Sequence, residues 1–270
     1  MKAVSVNEYL SSSNPWSSRL LGLSDFQKKR DVQQVENEYN LDKYARLLKS
    51  ELKNAEEYKQ LEFEQAGLHP VTGEMLISFG DEIFKTTVAN ARNIYYGLIK
   101  TTLDKYRSKN VCELGCGYGY NLSYIGEGAY GGEYSKNAVT LGKKIGLDVV
   151  EFNYYQPADY NFIRPETTVF TTHSIEQIPD ATVIIKSLEE QKSKIKYVVH
   201  FEPTVIPGRT SLLGLLRNKY MELNDYNRNL IDILKNHPGI EILELQTDSF
   251  GLVPLNTTNL IVWKFKNERV

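Results

Sequence analysis

The chain has 270 residues and a formal net charge of -2, its 32 Lys and Arg nearly matching its 34 Asp and Glu. That length accommodates one large domain with a sizeable appendage and a substantial core, and it crowds out two unrelated full-size enzymatic domains. Charges of both signs run throughout, which excludes a global field recruiting nucleic acid or an anionic membrane, although a local patch remains compatible.

The first twenty residues, MKAVSVNEYLSSSNPWSSRL, have no continuous apolar core followed by a small-residue cleavage site. No later stretch reaches the ~18 apolar residues that span a bilayer, so the expectation is a soluble cytoplasmic protein. From Asp25 to Gln65 and again from Asp81 to Arg107, apolar residues recur at helical spacing among charges, predicting amphipathic helices. Between them GLHPVTGEMLISFGD carries Pro70, Gly73 and Gly80 and reads as a loop or short irregular piece. Residues 1–107 are therefore expected to form an all-helical cap or substrate-side extension.

After residue 108 short β-rich runs alternate with helix-like segments, predicting βαβ units and a largely parallel sheet over residues 108–270. The candidate strands are NVCELG, GAYGGEY, DVVEFN, TTVFTTH, KYVVHFEP, IEILELQ and NLIVWKF, with the last two an antiparallel pair at the sheet's edge and a long helix over Thr210 to Asn236. Cys112 and Cys116 lie four apart in one strand and turn. That spacing is wrong for a zinc knuckle and poor for a disulfide, so both read as small residues packed around a tight turn in a reducing compartment.

The stretch VCELGCGYGYN places Gly115, Gly117 and Gly119 at alternate positions behind a strand, with Glu113 two places before the first. A strand that turns into a helix through glycines leaves backbone N–H groups and a helix N-terminus at the carboxyl edge of the sheet. The spacing G-x-G-x-G differs from the G-x-G-x-x-G of dinucleotide folds. It resembles the first motif of class I S-adenosylmethionine-dependent methyltransferases, (D/E)-x-G-x-G-x-G, at every specified position.

The resemblance covers about Asn110 to Val270. It implies an α/β, Rossmann-like seven-stranded domain, mostly parallel with an antiparallel last strand, behind an N-terminal helical cap. It also implies S-adenosylmethionine (SAM) as cofactor and S-adenosylhomocysteine (SAH) as its product. Glu113 would then serve the amino-acid end directly or through water, and Gly115, Gly117 and Gly119 would give close backbone approach under the methionine moiety. Glu133, about 20 residues beyond the glycines, stands where such folds put the acceptor for ribose hydroxyls. Asn153, ending the third strand, stands where the family carries an Asp against the adenine amino group, and Thr172, ending the fourth, joins the cofactor contacts. The chemistry agrees, since a sulfonium cation carried on an amino acid and a nucleoside needs carboxylates, acceptors and close backbone. Tyr118 and Tyr120 either add cation–π attraction near the sulfonium, an effect of roughly 0.5–2 kcal/mol, or pack the turn against the N-terminal helices.

For the acceptor, His173 with Glu176 three residues on, and His200 with Glu202 two residues on, follow neighbouring strands whose carboxyl ends converge. Imidazole takes a proton near neutral pH and a carboxylate orients it. His173 is the expected general base, Glu176 or Glu202 its partner or a binder of substrate hydroxyls, and His200 the second choice. In the structural alternative, His173 merely contacts cofactor or backbone, Ser174 caps the next helix and His200 is a core residue of a buried strand. In a metal-assisted alternative, which is less favoured, two imidazoles and two carboxylates hold a divalent ion. That pattern is similar to the Glu-x-x-Glu-His arrangement of small-RNA terminal methyltransferases, with His173 and Gln177 replacing two ligands.

Arg209 and Arg217 offer pairing to an acceptor's phosphate or carboxylate, or else are solvated surface charge. The closing PLNTTNLIVWKF resembles the C-terminal strand of bacterial sugar and secondary-metabolite methyltransferases. The leading expectation is O-methylation of a hydroxylated small molecule such as a sugar or sugar-linked metabolite of a surface-polysaccharide or natural-product pathway. N-methylation of an amine-bearing metabolite, methylation of an RNA end (against which the charge balance speaks) and a non-catalytic scaffold subunit stay open. So does a homo-oligomer.

Overall fold

A computed structural model, which describes residues 1–12 and 15–266, turns all seven runs after residue 108 into strands of one sheet. These are β4 (Asn110–Leu114), β5 (Ala129–Glu133), β6 (Val149–Glu151), β7 (Thr167–Thr172), β8 (Ile195–Glu202), β9 (Ile240–Val253) and β10 (Asn256–Phe265). The N-terminal part is not all-helical, because β1 (Lys2–Val4), β2 (Glu74–Phe79) and β3 (Glu82–Thr87) extend the sheet. The described strands run in the order β1-β3-β2-β9-β10-β8-β7-β4-β5-β6. Strands β4 to β8 are mutually parallel, whereas β10 runs antiparallel to β8 and to β9.

Alternation along β4 shows why the strand sits at the centre. Val111 faces one core with Phe170, Val199, Phe201 and Val262, while Cys112 and Leu114 face the other with Val169, Val198 and Trp263. The first core is covered by the helix Val88–Lys105, which contributes Ala91, Tyr95, Tyr96, Ile99 and Leu103. The second is covered by the helices Thr182–Glu190 and Leu230–Asn236. Both cysteines are buried free thiols whose pKa burial raises, in keeping with packing.

The N-terminal strands overturn the loop expected at GLHPVTGEMLISFGD and shorten the helix expected from Asp81. Gly80 takes a positive φ of 51° between Phe79 and Asp81, closing a hairpin whose register pairs Phe79 with Glu82. The following helix begins where the Thr87 hydroxyl accepts from the Asn90 N–H at 3.3 Å. The segment Asp25 to Gln65 also divides. A helical stretch over residues 32–48, its middle part Glu36–Tyr44 built of wide, π-type turns, precedes a separate helix Ala55–Gln65. Asp31 caps the first through the Gln34 N–H and Asn54 the second through the Glu57 N–H. The segment Thr210 to Asn236 is likewise two helices, Leu212–Leu223 and Leu230–Asn236.

Strand order reverses between β4 and β7, so the chain leaving each departs toward opposite sides and opens a crevice at their carboxyl ends. Glu113 and Gly115 stand at one lip, Thr172, His173 and Ser174 at the other. The helices of residues 32–65 close over it: Tyr44, Leu47, Ala55 and Tyr58 pack with Tyr118, Ala138 and Leu141. Among the described residues no helix is long and apolar enough to cross a membrane.

Candidate cofactor and acceptor site

One cavity of about 440 Å³ fills this crevice. Its wall includes Glu113, Gly115, Gly117, Glu133, Asn153, Thr172, His173 and Glu176, which the motifs had singled out, and excludes Gly119, His200 and Glu202.

The loop after β4 turns through three positive φ values, 73° at Gly115, 55° at Gly117 and 88° at Gly119. Its glycines answer first to the protein's own packing. A Cβ at residue 115 would lie 2.4 Å from Ser174 Cβ, one at 117 would lie 2.5 Å from the Tyr44 hydroxyl oxygen, and one at 119 would lie 2.7 Å from Leu147 Cδ1. Gly119 therefore serves the helix start and the packing behind the loop. Gly115 and Gly117 remain on the cavity wall, where a side chain would narrow the space.

Glu133 ends β5 and is 8% exposed. Its oxygens accept the Gly117 and Ser135 N–H groups, each at 2.8 Å, which aims the carboxylate across the loop; burial nevertheless raises its pKa. Glu113 is 1% exposed. Its Oε1 accepts the Asn121 amide at 2.7 Å, its Oε2 has no partner among the described residues, and burial pushes its pKa up to about 8. An orphaned buried carboxylate oxygen beside a glycine turn suits a cationic group. Together with the Glu133 carboxylate, these residues fit the amino-acid and ribose ends of SAM. Thr172 lines the wall 3.4 Å from the Asn121 amide, and Asn153 lines it with Oδ1 accepting the Tyr155 N–H at 3.0 Å.

Tyr118 and Tyr120 are tied to the helix above the loop. The Tyr118 hydroxyl donates to Glu62 at 3.1 Å and that of Tyr120 to Glu56 at 2.9 Å, while the Lys59 ammonium lies 5.7 and 5.0 Å from their ring centroids. Asn40, which the sequence reading passed over, accepts the Ser135 hydroxyl at 2.8 Å and the Asn137 N–H at 3.0 Å, latching the cap onto the helix after β5. No motif marks Asn40 or Tyr44; they look like ordinary polar positions of an amphipathic helix.

The four residues expected to face one another divide into two pairs. His173 follows β7 in left-handed backbone, φ 48°, a conformation that costs a non-glycine residue of order 1–3 kcal/mol. Its Nδ1 lies 3.1 Å from Glu176 Oε2 and its Nε2 2.8 Å from Thr258 Oγ1. Burial disfavours the imidazolium, but the Glu176 carboxylate prevails and the pKa is raised. His200 and Glu202 are fully buried on the same face of β8. His200 bonds Thr171 at 3.0 Å beside Trp263, and burial lowers its pKa to about 3, so it stays neutral. Glu202 lies beneath the turn after β7, accepting the Ser174 N–H at 3.0 Å and the Glu176 N–H at 3.1 Å; burial raises its pKa while His173 pulls it back. Its placement shapes the turn that carries His173 and Glu176.

Neither arginine considered for the acceptor points there. Arg209 pairs with Asp248 at 2.6 Å, and fully buried Arg217 lies 3.3 Å from the same carboxylate, so they are an internal ion cluster and not surface charge. Among the described residues no group of three or more His, Cys, Asp or Glu is placed to hold a metal ion.

No protein-family model and no curated protein sequence matches the chain. Solved structures do. The magnesium protoporphyrin IX methyltransferase (ChlM) from Synechocystis PCC 6803 with bound SAH aligns with a TM-score of 0.52 and 13% identity, over 87% of this chain and 98% of that one. The plantazolicin methyltransferase BamL aligns at 0.45 and 13% identity over 65% and 86%, and the methyltransferase domain of bacterial CtHen1-C at 0.44 and 14% over 66% and 100%. The chain has the Rossmann-like α/β fold of the class I methyltransferases, with three further strands at one edge.

Proposed function

We propose that this protein is a SAM-dependent methyltransferase that O-methylates a hydroxylated small molecule, a sugar or sugar-linked metabolite foremost, with His173 as general base. The observation that carries the reading is a single cavity walled both by the Glu113–glycine–Glu133 set and by the His173–Glu176 pair. When bound, SAM supplies an electrophilic methyl group on sulfur.

The chain's own residues do the rest. Glu113 and Glu133 hold the two polar ends, and the cap of residues 32–65 walls part of the space between with Val35, Tyr39 and Tyr44. Glu176 accepts from His173 Nδ1–H and so selects the tautomer whose Nε2 carries a lone pair. In the free protein that lone pair receives the Thr258 hydroxyl. The acceptor hydroxyl would reach Nε2 once the imidazole swings away from Thr258, which is fully buried and off the cavity wall, and would give its proton to that nitrogen as it takes the methyl group. Positioning for this in-line displacement supplies most of the acceleration.

Calorimetric titration with SAH tests the cofactor half. Binding is expected, and its absence would sink the enzyme reading in favour of a partner-binding scaffold. For the base, His173→Ala is expected to keep SAH affinity and lose about 10²–10⁴-fold in turnover. The wild-type rate should rise with pH as the imidazole deprotonates through a pKa above its ordinary 6.5. An alanine variant with full turnover removes His173 from that role.

A further inference from the structure

The Glu176 carboxylate, 5% exposed, is the hub of the acceptor end. Besides His173 Nδ1 it accepts the side-chain amide N–H of Gln177 on Oε1 at 2.7 Å and that of Asn256 on Oε2 at 3.1 Å. A carboxylate only accepts, so each amide must turn its NH2 toward Glu176 and its carbonyl oxygen away; the flipped orientation would set oxygen against oxygen. The two carbonyl oxygens so released, Gln177 Oε1 and Asn256 Oδ1, are buried and have no hydrogen-bond partner among the described residues. Both residues line the cavity beside His173, and Gln177 is 8% exposed. An acceptor oxygen left unpaired in such a place is costly, so two on one wall make it strongly selective for a ligand that donates hydrogen bonds.

The same wall rejects anions. The cations that line the cavity are already engaged: Arg30 donates to Glu38 Oε2 and to the Asn224 carbonyl, both at 3.1 Å, and Lys43 and Lys59 pair with Glu62 at 2.8 and 2.6 Å. A phosphate or carboxylate on the acceptor would instead meet the Glu176 charge and two carbonyl dipoles. An ammonium concentrates its three donors on one nitrogen and would stand beside an imidazole that Glu176 inclines toward its cationic form.

We infer that Gln177 and Asn256 form a donor-reading subsite, oriented by Glu176, that selects a neutral acceptor with several free hydroxyls. It rests on the reading of this cavity as a methyl-acceptor site. One hydroxyl meets His173 Nε2 and others donate to Gln177 Oε1 and Asn256 Oδ1. These amides determine specificity, and Glu176 positions all three groups.

The test uses the full chain saturated with SAH and calorimetric titration of two probes, methyl α-L-rhamnopyranoside and its tri-O-methyl ether, which keeps the ring and every oxygen but has no donor. The free glycoside is expected to bind at least about tenfold tighter than the ether. Gln177→Met and Asn256→Leu should each weaken glycoside binding about tenfold while leaving SAH affinity, which also reports folding, unchanged. Equal binding of the two probes, no binding of the free glycoside, or glycoside affinity unmoved in both variants would overturn the subsite. If those failures occur on a protein that binds SAH, the methyltransferase reading survives them; a wild-type protein that takes up no SAH overturns both.

Discussion

Glu113 is the residue at which burial and binding are most directly opposed. Its carboxyl is 1% exposed with Oε2 unpartnered, and its pKa is pushed up to about 8. A carboxyl raised in the folded state contributes stability that is complete below its ordinary 4.5 and fades as pH rises toward 8, so near neutrality the free protein holds this proton. A cation arriving beside Oε2 favours the ionised form. SAH binding near pH 7 is therefore expected to release up to one proton, measured as a binding enthalpy that varies with the ionisation enthalpy of the buffer. Glu113→Gln should abolish that dependence; a wild-type enthalpy independent of buffer would mean Glu113 does not meet the cation. The identity of this residue was legible in the motif, but its state was not. That depends on Asn121 satisfying one oxygen and nothing reaching the other, a matter of packing. His200 illustrates the same limit. Alternation along VVHFE puts His200 and Glu202 on one face of β8, yet only the assembled sheet reveals that this is the Trp263 side and not the crevice.

At the scale of elements, the turn after β4 and the turn after β7 are built against each other. Ser174 is held by Glu202 through its N–H and by Leu114 O and Tyr154 through its hydroxyl, so it cannot retreat from Gly115. Gly115→Ala adds a Cβ 2.4 Å from Ser174 Cβ on top of a φ of +73°. Gly67→Ala has nearly the same φ, +75°, but nothing within 4 Å. The first is expected to lower the melting temperature well beyond the second, since left-handed backbone alone costs about 1–3 kcal/mol and the clash adds to it. Equal losses in thermal unfolding would show that the contact between the two turns yields easily. The strand-glycine-helix signature made this turn readable, because backbone sign and motif coincide. The β2–β3 hairpin was less so: its Gly-Asp turn between ISF and EIF is a recognised hairpin signal, but Pro70, Gly73 and Gly80 made the stretch before it read as a loop, and the apolar spacing from Asp81 on suited a helix. The break between residues 48 and 55 carries neither Gly nor Pro, only the Asn54 cap.

For the whole molecule, the change of texture near residue 108 coincides with the start of the motif but cuts through a core. The helix Val88–Lys105 lies before that point, and its Ala91, Tyr95, Tyr96, Ile99 and Leu103 are buried against Val111, Phe170, Val199, Phe201 and Val262 from beyond it. The chain on either side is also joined by hydrogen bonds from Thr168 Oγ1 to Tyr106 O at 2.6 Å and from Lys105 to Glu244 at 2.8 Å. Each large side chain buried in this way contributes about 1.5–3 kcal/mol, and a domain's entire net stability is about 5–15 kcal/mol. A fragment of residues 108–270 would thus expose one whole sheet face and is expected to show no cooperative thermal transition. A fragment of residues 88–270 keeps that helix and should unfold cooperatively. It lacks Tyr44, Asn40 and the helix Ala55–Gln65 over the glycine turn, so its SAH affinity should fall even though Glu113 and Glu133 remain. Cooperative unfolding of the shorter fragment would place the folding boundary at residue 108; its absence, with folding of the longer one, assigns the helix Val88–Lys105 to the catalytic fold and only the residues before it to the cap.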